Sequence, residues 1–204
     1  IIPIGMSDAF AELIVAQTES RTKVVLQDWY NDSWEFRKNI TLSLNTATGV
    51  DSDLTDFPAL VSITDLEIFE KTNETDLKDI IFTASDGTTK LAHEIERYDS
   101  STGEVIAWVK IPTLSASDVT DIYIYYKGLD ETDTYNTVWD DNYRMILHMN
   151  QSATGSKSEG LFSDVTDNGN DATAGGDGRQ IPYNSNREPI RNEGQIGYGQ
   201  KFRG

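Results

Sequence analysis

Six short segments with the two-residue period of a β-strand lie between Trp34 and Lys127, and they constrain the fold of this chain more than any other feature. Turn residues separate the segments, and β-branched and aromatic residues are frequent within them. Series of this kind are typical of an antiparallel β-sandwich. The pattern therefore predicts a mainly β chain whose central part, residues 33–128, is a jelly-roll-like sandwich. The six segments are residues 40–44, 57–63, 80–82, 91–98, 105–111 and 122–126.

The residues before the sandwich have a different character. From Ser7 to about Tyr30 the chain contains good helix formers and neither Gly nor Pro. Phe10, Leu13 and Ile14 fall near one face of a helical period. Residues 1–32 are therefore predicted to form an N-terminal segment that is mainly one α-helix, which from Ser7 to about Tyr30 would be about 35 Å long at a rise of about 1.5 Å per residue. We expect its three apolar residues to contact neighbouring copies if the helix serves assembly; packing on the sandwich is the alternative.

The chain is strongly acidic and contains no cysteine. It has 17 Lys and Arg against 34 Asp and Glu, which gives a formal net charge of -17 at pH 7. Nucleic-acid binders need a basic surface to neutralise phosphates, so nucleic acid is not an expected partner. The lack of cysteine excludes iron–sulfur centres, cysteine-ligated zinc and thiol catalysis. Part of the negative charge lies in residues 129–142, which are predicted to form an acidic linker.

The last part of the chain, residues 143–204, is rich in Gly and Asn. Residues 144–149 and the last few residues have the pattern of strands. The long stretch between them has almost no periodic pattern, which is unusual inside a compact domain. It is interpreted either as a large surface loop or as a region whose partner strands lie elsewhere.

The central segment contains six motifs in a fixed order. They are Trp34-Glu35-Phe36-Arg37-Lys38-Asn39-Ile40, Leu54-Thr55-Asp56-Phe57-Pro58-Ala59-Leu60-Val61, Asp79-Ile80-Ile81-Phe82-Thr83 followed by Asp86-Gly87, Leu91-Ala92-His93-Glu94-Ile95-Glu96, Trp108-Val109-Lys110-Ile111-Pro112 and Ile122-Tyr123-Ile124-Tyr125-Tyr126. Over about residues 34–128 the chain thereby resembles the domain of unknown function 2341 family, found in many bacterial and archaeal surface proteins. One departure is Lys127-Gly128, where the family usually shows Gly-Asn.

A second resemblance follows the predicted linker. It rests on Met145-Ile146-Leu147-His148-Met149, on Asp164-Val165-Thr166-Asp167-Asn168-Gly169-Asn170-Asp171-Ala172 and on Gly194-Gln195-Ile196-Gly197-Tyr198-Gly199-Gln200-Lys201-Phe202-Arg203-Gly204. Residues 143–204 are similar to the opening strands of a laminin-G-like, concanavalin A-like jelly roll, a module that often follows the first family. The resemblance implies the first strands of a second sandwich, and we expect the remaining strands beyond Gly204.

The two resemblances imply an extracellular, non-enzymatic cell-surface protein that serves adhesion or surface and filament architecture. The expected partners are copies of the chain itself, other envelope proteins and, as a further candidate, glycans. Two alternatives stay open: an accessory glycan-binding module of a larger carbohydrate-active enzyme, and a subunit of a pilus-like filament. The first family has no established chemistry, so the resemblance implies no catalytic residue.

A short Gly-containing loop holds five residues with side-chain oxygens: Asp164, Asp167, Asn168, Asn170 and Asp171. Calcium binds six to eight oxygens from carboxylates, amides and carbonyls, so this loop is a candidate calcium site. It lacks the spacing and the terminal bidentate Glu of an EF-hand. Tight Asx turns would use the same residues, and that alternative stays open.

Two further sets of residues are candidates for sites on the surface. Tyr123 and Tyr125 share one face of a predicted strand, and we expect them to be half exposed and able to stack on a sugar ring. Trp108 is expected to lie in the core. Asn-x-Ser/Thr sequons make Asn31, Asn73 and Asn150 candidate glycosylation sites.

The sequence offers no convincing catalytic constellation. In a strand, His93 would point away from Glu94 and Glu96, which argues against a zinc site. We expect these carboxylates to pair with Arg37, Lys38 or Arg97 across the sheet. No pair of carboxylates stands out among the many acidic residues. We therefore predict that the chain is not an enzyme.

Overall fold

The structure is a computed structural model that describes residues 28–44, 50–72, 77–129, 138–151, 162–172, 190–194 and 196–201. The chain divides into two compact units, Ile1–Val138 and Trp139–Gly204. The division falls inside the segment predicted as a linker. The predicted assembly residues Phe10, Leu13 and Ile14, and the sequon at Asn73, lie outside the described residues.

The first unit contains seven described strands in two antiparallel sheets, as the alternating pattern predicted. The strands are β1 (Phe36–Leu42), β2 (Leu54–Thr64), β3 (Ile80–Ala84), β4 (Lys90–Leu91), β5 (His93–Asp99), β6 (Glu104–Leu114) and β7 (Thr120–Tyr126). The first sheet has the order β1-β7-β3-β4, and the second has the order β2-β6-β5. Every hydrogen-bonded pair of these strands is antiparallel.

The core of the sandwich lies between the two sheets and follows the predicted alternation. In β6 the side chains of Val105, Ala107, Val109 and Ile111 are buried in one apolar cluster. Ile40, Ile122 and Ile124 of the first sheet belong to the same cluster, so it joins both sheets. Trp108 lies on the opposite face of β6 and is half buried, so its expected place in the core is wrong.

A short helix that the alternating pattern did not predict follows β2. Helix α1 (Leu66–Lys71) begins at Asp65, whose carboxylate accepts a hydrogen bond from the Glu67 backbone N–H at 2.9 Å. Ile68 is fully buried in the core cluster. No helix in the described part of the chain is long and apolar enough to cross a membrane.

The N-terminal helix was predicted to continue to about Tyr30, and its last residues are not helical. Residues 28–34 have irregular backbone and contain a turn at Asp32 and Ser33. The physical reason is that this segment lies against the first sheet, where aromatic packing determines its path. The earlier residues of the predicted helix lie outside the described part of the chain.

In the described part of the second unit, β8 (Ile190–Glu193) and β9 (Tyr198–Lys201) form an antiparallel hairpin. A single bridge also joins Phe162 to Ala172. Residues 144–149, which were predicted as a strand, have irregular backbone instead. Ile146 in this segment exchanges hydrogen bonds with the loop at residues 164 and 165 rather than with a strand.

Candidate functional site

Arg37 is buried on the outer face of the first sheet inside a group of aromatic side chains. Only 5% of the residue is exposed. Its guanidinium carbon lies 4.7 Å from the ring centre of Trp29 and 4.3 Å from that of Tyr123. Its Nη1 donates hydrogen bonds to the Asp28 carbonyl oxygen at 2.7 Å and to the Tyr125 hydroxyl at 2.8 Å. We call Trp29, Tyr123 and Tyr125 the aromatic cage of Arg37.

Tyr125 is fully buried in this cage, so the expectation that it is half exposed is wrong. Its hydroxyl donates to the Gly87 carbonyl oxygen at 2.8 Å and accepts from the Tyr30 backbone N–H at 3.2 Å. The prediction failed because residues 28–34 cover this part of the sheet. Tyr125 therefore cannot stack on a sugar. Tyr123, which does share its face, is half buried.

The cage fixes residues 28–34 to the sandwich at several points. Trp34 is 1% exposed and packs on Tyr125 with ring centres 6.2 Å apart. The indole N–H of Trp29 donates to the Trp34 carbonyl oxygen at 2.8 Å. A Cβ at Gly128 would lie 2.2 Å from the Trp34 ring, so this close approach requires glycine. The segment that connects residues 1–27 to the sandwich is thus held in one position.

Three lysines from distant parts of the sequence line one cleft of the first unit. Lys71 ends α1, Lys78 precedes β3 and Lys127 follows β7. The cleft has a volume of about 670 Å³. The ammonium groups of Lys71 and Lys127 lie 5.8 and 5.6 Å from the ring centre of Phe36. We call it the lysine cleft, and its full lining is Ser33, Glu35, Lys71, Thr72, Lys78, Asp79, Lys127, Gly128 and Leu129.

Lys127 has a backbone conformation that favours glycine. Its φ is 57°, in the left-handed region. This is the position where the resembled family usually shows Gly. A non-glycine residue pays about 1 kcal/mol or more for this conformation. Its ammonium group pairs with Glu35 at 2.8 Å, and both side chains are more than 40% exposed, at 43% and 53%.

A second lysine, Lys38, is buried beneath α1. Its Nζ contacts the carboxylates of Asp65 at 2.5 Å and Glu67 at 2.9 Å. Desolvation lowers the pKa of Lys38, but the hydrogen bonds and charges of the two carboxylates outweigh it and raise that pKa. Desolvation and the nearby Glu67 carboxylate also raise the pKa of Tyr126 well above its usual range. This group attaches α1 to the first sheet, and we assign it a structural role.

Asp164 organises the loop that was predicted to bind calcium. Its carboxylate accepts hydrogen bonds from the backbone N–H groups of Ile146, Thr166 and Asn170 at 2.9, 3.0 and 2.9 Å. It also accepts one from the Thr166 hydroxyl at 2.9 Å. Desolvation raises the pKa of Asp164, but these hydrogen bonds outweigh it and lower the pKa to about 2. Both carboxylate oxygens therefore accept hydrogen bonds from the protein.

Three of the other four candidate residues make hydrogen bonds within the loop or to residues 143 and 144. Asp171 accepts from the Asp164 backbone N–H at 2.8 Å, and Asn168 donates to the Tyr143 carbonyl oxygen at 3.0 Å. Asn170 donates to the Arg144 carbonyl oxygen at 2.7 Å. Within the described ranges, no group of three or more His, Cys, Asp or Glu side chains is arranged to hold a metal ion. These contacts favour the Asx-turn alternative, and the calcium site stays a prediction.

His93 is fully buried, and its ring lies against Phe82 with centres 5.3 Å apart. Glu94 and Glu96 lie on the other face of the second sheet, as the alternation predicted. There Glu94 is the register partner of Trp108, and Glu96 accepts a hydrogen bond from the Trp108 indole N–H at 3.1 Å. The expected pairing of these carboxylates with Arg37 or Lys38 is wrong, because both cations belong to the first sheet.

Two of the three candidate glycosylation sites lie within the described residues. Asn31 is exposed, and its side-chain oxygen accepts from the backbone N–H of Ser33 at 2.9 Å and from the Ser33 hydroxyl. Asn150 is half buried. Glycosylation of either residue stays a prediction.

Comparison with known families gives one match. Residues 76–140 match the family model described as domain of unknown function (DUF2341). The matched region contains β3 to β7, which include three strands of the first sheet and two of the second. Comparison with curated proteins finds no match, and comparison with solved structures finds none. The family match therefore supports the DUF2341 resemblance over the later part of the sandwich. No comparison supports the laminin-G-like resemblance of residues 143–204.

Two features of the first unit were not predicted as sites. The aromatic cage needs residues 28–34 to fold back onto the sheet, and local periodicity carries no information on such a contact. The lysine cleft combines lysines at positions 71, 78 and 127. The sequence contained one signal for the lysine cleft: Lys127 occupies a position at which the resembled family usually shows Gly.

Proposed function

We propose that this chain is an extracellular, non-enzymatic surface protein that serves adhesion or surface and filament architecture. The observation that carries the proposal is the fixed attachment of residues 28–34 to the sandwich through the aromatic cage of Arg37. A module displayed on a shaft or envelope must keep its orientation while its attachment segment is under tension. Arg37, buried between two rings with two hydrogen bonds to its guanidinium, supplies such an attachment.

The filament form of this proposal uses residues 1–27 as the shaft and the sandwich as the displayed part. Phe10, Leu13 and Ile14 are the proposed contacts between copies. Their apolar side chains would be removed from water by lateral packing, which is the dominant favourable term in association. Other envelope proteins are the alternative partners.

The test combines localisation with assembly. Antibodies against the sandwich should label unpermeabilised cells that make the protein, and the purified chain should form assemblies visible by electron microscopy. The triple variant Phe10→Ser, Leu13→Ser, Ile14→Ser should lose assembly, whereas the control Glu12→Ala, Gln17→Ala in the same segment should keep it. Labelling only after permeabilisation, together with a chain that stays monomeric, would contradict the proposal.

A second candidate function is glycan binding, and Trp108 favours it. Its half-buried indole lies on the outer face of the second sheet beside Glu94 and Glu96. An indole can stack on the apolar face of a sugar, and carboxylates accept hydrogen bonds from its hydroxyls. We therefore place the proposed glycan contact at Trp108, with Tyr123 of the first sheet as the weaker candidate.

Glycan binding is tested on an array of polysaccharides, followed by calorimetry with any ligand found. Trp108→Ala should abolish binding, while Tyr198→Ala, which removes an exposed aromatic ring from β9, should not. Circular dichroism establishes that both variants are folded. Binding that survives Trp108→Ala and is lost in Tyr123→Ala would move the site to the first sheet, and no binding at all would refute this candidate.

We further propose that residues 143–204 begin a laminin-G-like, concanavalin A-like sandwich. The hairpin of β8 and β9 supports this proposal, since its two strands would supply edges for further strands. A structure of a chain extended beyond Gly204 tests it. Strands added to β8 or β9 in an antiparallel sandwich are expected, and a helical continuation would contradict it.

A further inference from the structure

One end of the sandwich carries a group of exposed aspartates, and the other carries the lysine cleft. Asp51 and Asp53 lie in the turn before β2, Asp56 lies near the start of β2, and Asp118 lies in the turn between β6 and β7; all four are exposed. Residues 50–56 and 113–121 contain neither Lys nor Arg. Asp53 joins the two turns, because its carboxylate accepts from the Ala116 backbone N–H at 2.9 Å. We call these four aspartates the acidic tip.

The strand registers place the acidic tip and the lysine cleft at opposite ends of the sandwich. Leu54 at the start of β2 pairs with Leu114, next to the acidic tip. Phe36 at the start of β1 pairs with Tyr126, next to the lysine cleft. β2 starts next to the acidic tip and is followed by α1, which ends at Lys71 of the lysine cleft. Its 11 residues span about 35 Å at about 3.3 Å per residue, so the two features are separated by the length of the sandwich.

We propose that the lysine cleft of one copy binds the acidic tip of the next copy, so that sandwiches associate head to tail. This inference rests on the proposed role in surface and filament architecture and names one contact for it. Carboxylates would meet Lys71, Lys78 and Lys127 across the interface. The two surfaces are different, so two bound copies still leave one cleft and one acidic tip unoccupied. Because these surfaces lie at opposite ends of the sandwich, further copies extend the pair into an open filament.

Features at both surfaces fit this contact. Val119 beside the acidic tip is 52% exposed and Leu129 at the lysine cleft is 60% exposed, so each surface has an apolar side chain to bury. The pair formed by Lys127 and Glu35 is largely exposed and therefore weak, and an incoming carboxylate can replace Glu35. The unfavourable φ of Lys127 is explained if the lysine at this position is needed for binding.

A second copy fits the cleft better than an acidic glycan does. With a net charge of -17, copies repel one another over most of their surface, and a cleft that holds three lysines against the two carboxylates of Glu35 and Asp79 provides a place where they attract. The acidic tip is present once in each copy, so cleft and ligand are available in equal amounts.

The experiment uses charge reversal at both surfaces of the full chain. The cleft variant carries Lys71→Glu and Lys78→Glu, and the tip variant carries Asp51→Lys and Asp118→Lys. Sedimentation velocity at low and high salt measures the salt-sensitive part of self-association. Each variant alone should self-associate about 100-fold more weakly than the wild-type chain. The control Lys90→Glu, Lys201→Glu changes the net charge equally outside the cleft and should behave as wild type.

The mixture of the two variants gives the decisive result. Association should return, because the cationic cleft of the tip variant can bind the acidic tip of the cleft variant. A chain carrying all four substitutions should also associate. Circular dichroism of each variant excludes misfolding.

Several results would overturn the inference. They are a wild-type chain without salt-sensitive association, a cleft variant that associates normally, or a mixture that stays monomeric. Binding of an acidic polysaccharide that requires Lys71 and Lys78, without self-association, would assign the cleft to glycans instead. Assembly that is lost only in the Phe10, Leu13 and Ile14 variant would refute this contact and leave the proposed function standing.

Discussion

Arg37 and Tyr125 are register partners in neighbouring antiparallel strands, and the guanidinium of the first donates a 2.8 Å hydrogen bond to the hydroxyl of the second. Both side chains point to the outer face of the first sheet, which in a sandwich usually faces solvent. Here residues 28–34 cover that face. The pair therefore links the sheet to the segment that enters it, and the strength of the link can be measured.

We expect Tyr125→Phe to destabilise the first unit by about 1–3 kcal/mol, because the change leaves buried groups without a partner. The hydroxyl accepts from Arg37 and from the Tyr30 backbone N–H, and it donates to Gly87. Urea unfolding followed by tryptophan fluorescence measures the loss. Tyr123→Phe is the matched control on the same strand and face, and it should be nearly neutral. Equal effects of the two substitutions would show that the hydroxyl of Tyr125 has no special role.

The alternation of residues along the strands was sufficient to predict the sandwich and most of its core. Val105, Ala107 and Val109 follow the two-residue period because burial on one face is the main determinant of strand pattern. Helix α1 was missed because six residues are fewer than two turns, too short for a helical period to be recognised. The capping contact of Asp65 with Glu67 was the available local signal.

The sites were harder to predict than the fold, since they depend on contacts between distant residues. The period of β7 placed Tyr123 and Tyr125 on one face, and this is confirmed. It contains no information about which residues cover that face, so the prediction that Tyr125 is half exposed was wrong. The lysine cleft depends on the end of α1 lying beside the ends of β3 and β7, and that arrangement is a property of the whole sandwich.

Lys38 should make the first unit sensitive to alkaline pH. Its pKa is raised in the folded state, so the stabilisation is complete below the ordinary value of 10.5 and is lost as pH rises above it. Tyr126 acts in the same direction, because its raised pKa opposes the ionisation that the unfolded chain undergoes near 10.0. Unfolding by urea at a series of pH values should show falling stability above about pH 10.

The substitution Lys38→Met tests the same group directly. It leaves the carboxylates of Asp65 and Glu67 without their buried cation, and we expect a loss of about 2 kcal/mol. The value is below the about 3–5 kcal/mol that breaking a fully buried pair costs, because 33% of the Glu67 side chain is exposed. Lys110→Met on the second sheet is the control. If the alkaline loss of stability is unchanged in Lys38→Met, Tyr126 alone accounts for it.

Asp164 should make its loop sensitive to acid. Its pKa is lowered from 3.8 to about 2, so its stabilising effect is present above pH 3.8 and is lost as pH falls towards 2. Hydrogen exchange of the Ile146, Thr166 and Asn170 amides should accelerate in this range relative to the amides of β6. Asp164→Asn should remove the pH dependence, whereas Asp167→Asn should keep it. Protection that does not change between pH 4 and 2 would contradict the assignment.

Lys127 and Gly128 are neighbours in which substitutions should have opposite effects on stability. Lys127→Gly relieves the left-handed conformation, and we expect a gain of about 0.5 kcal/mol after the greater flexibility of unfolded Gly and the loss of the Glu35 pair are deducted. Gly128→Ala should cost about 2 kcal/mol or more, because its Cβ would overlap the buried Trp34 ring. Thermal and urea unfolding measure both changes, and Leu129→Ala next to them is the control. A stabilised Lys127→Gly chain that also self-associates more weakly would mean that the lysine is retained for binding at the expense of stability. If the variant is no more stable than the wild-type chain, the backbone at this position is not strained and its φ gives no support to a binding role.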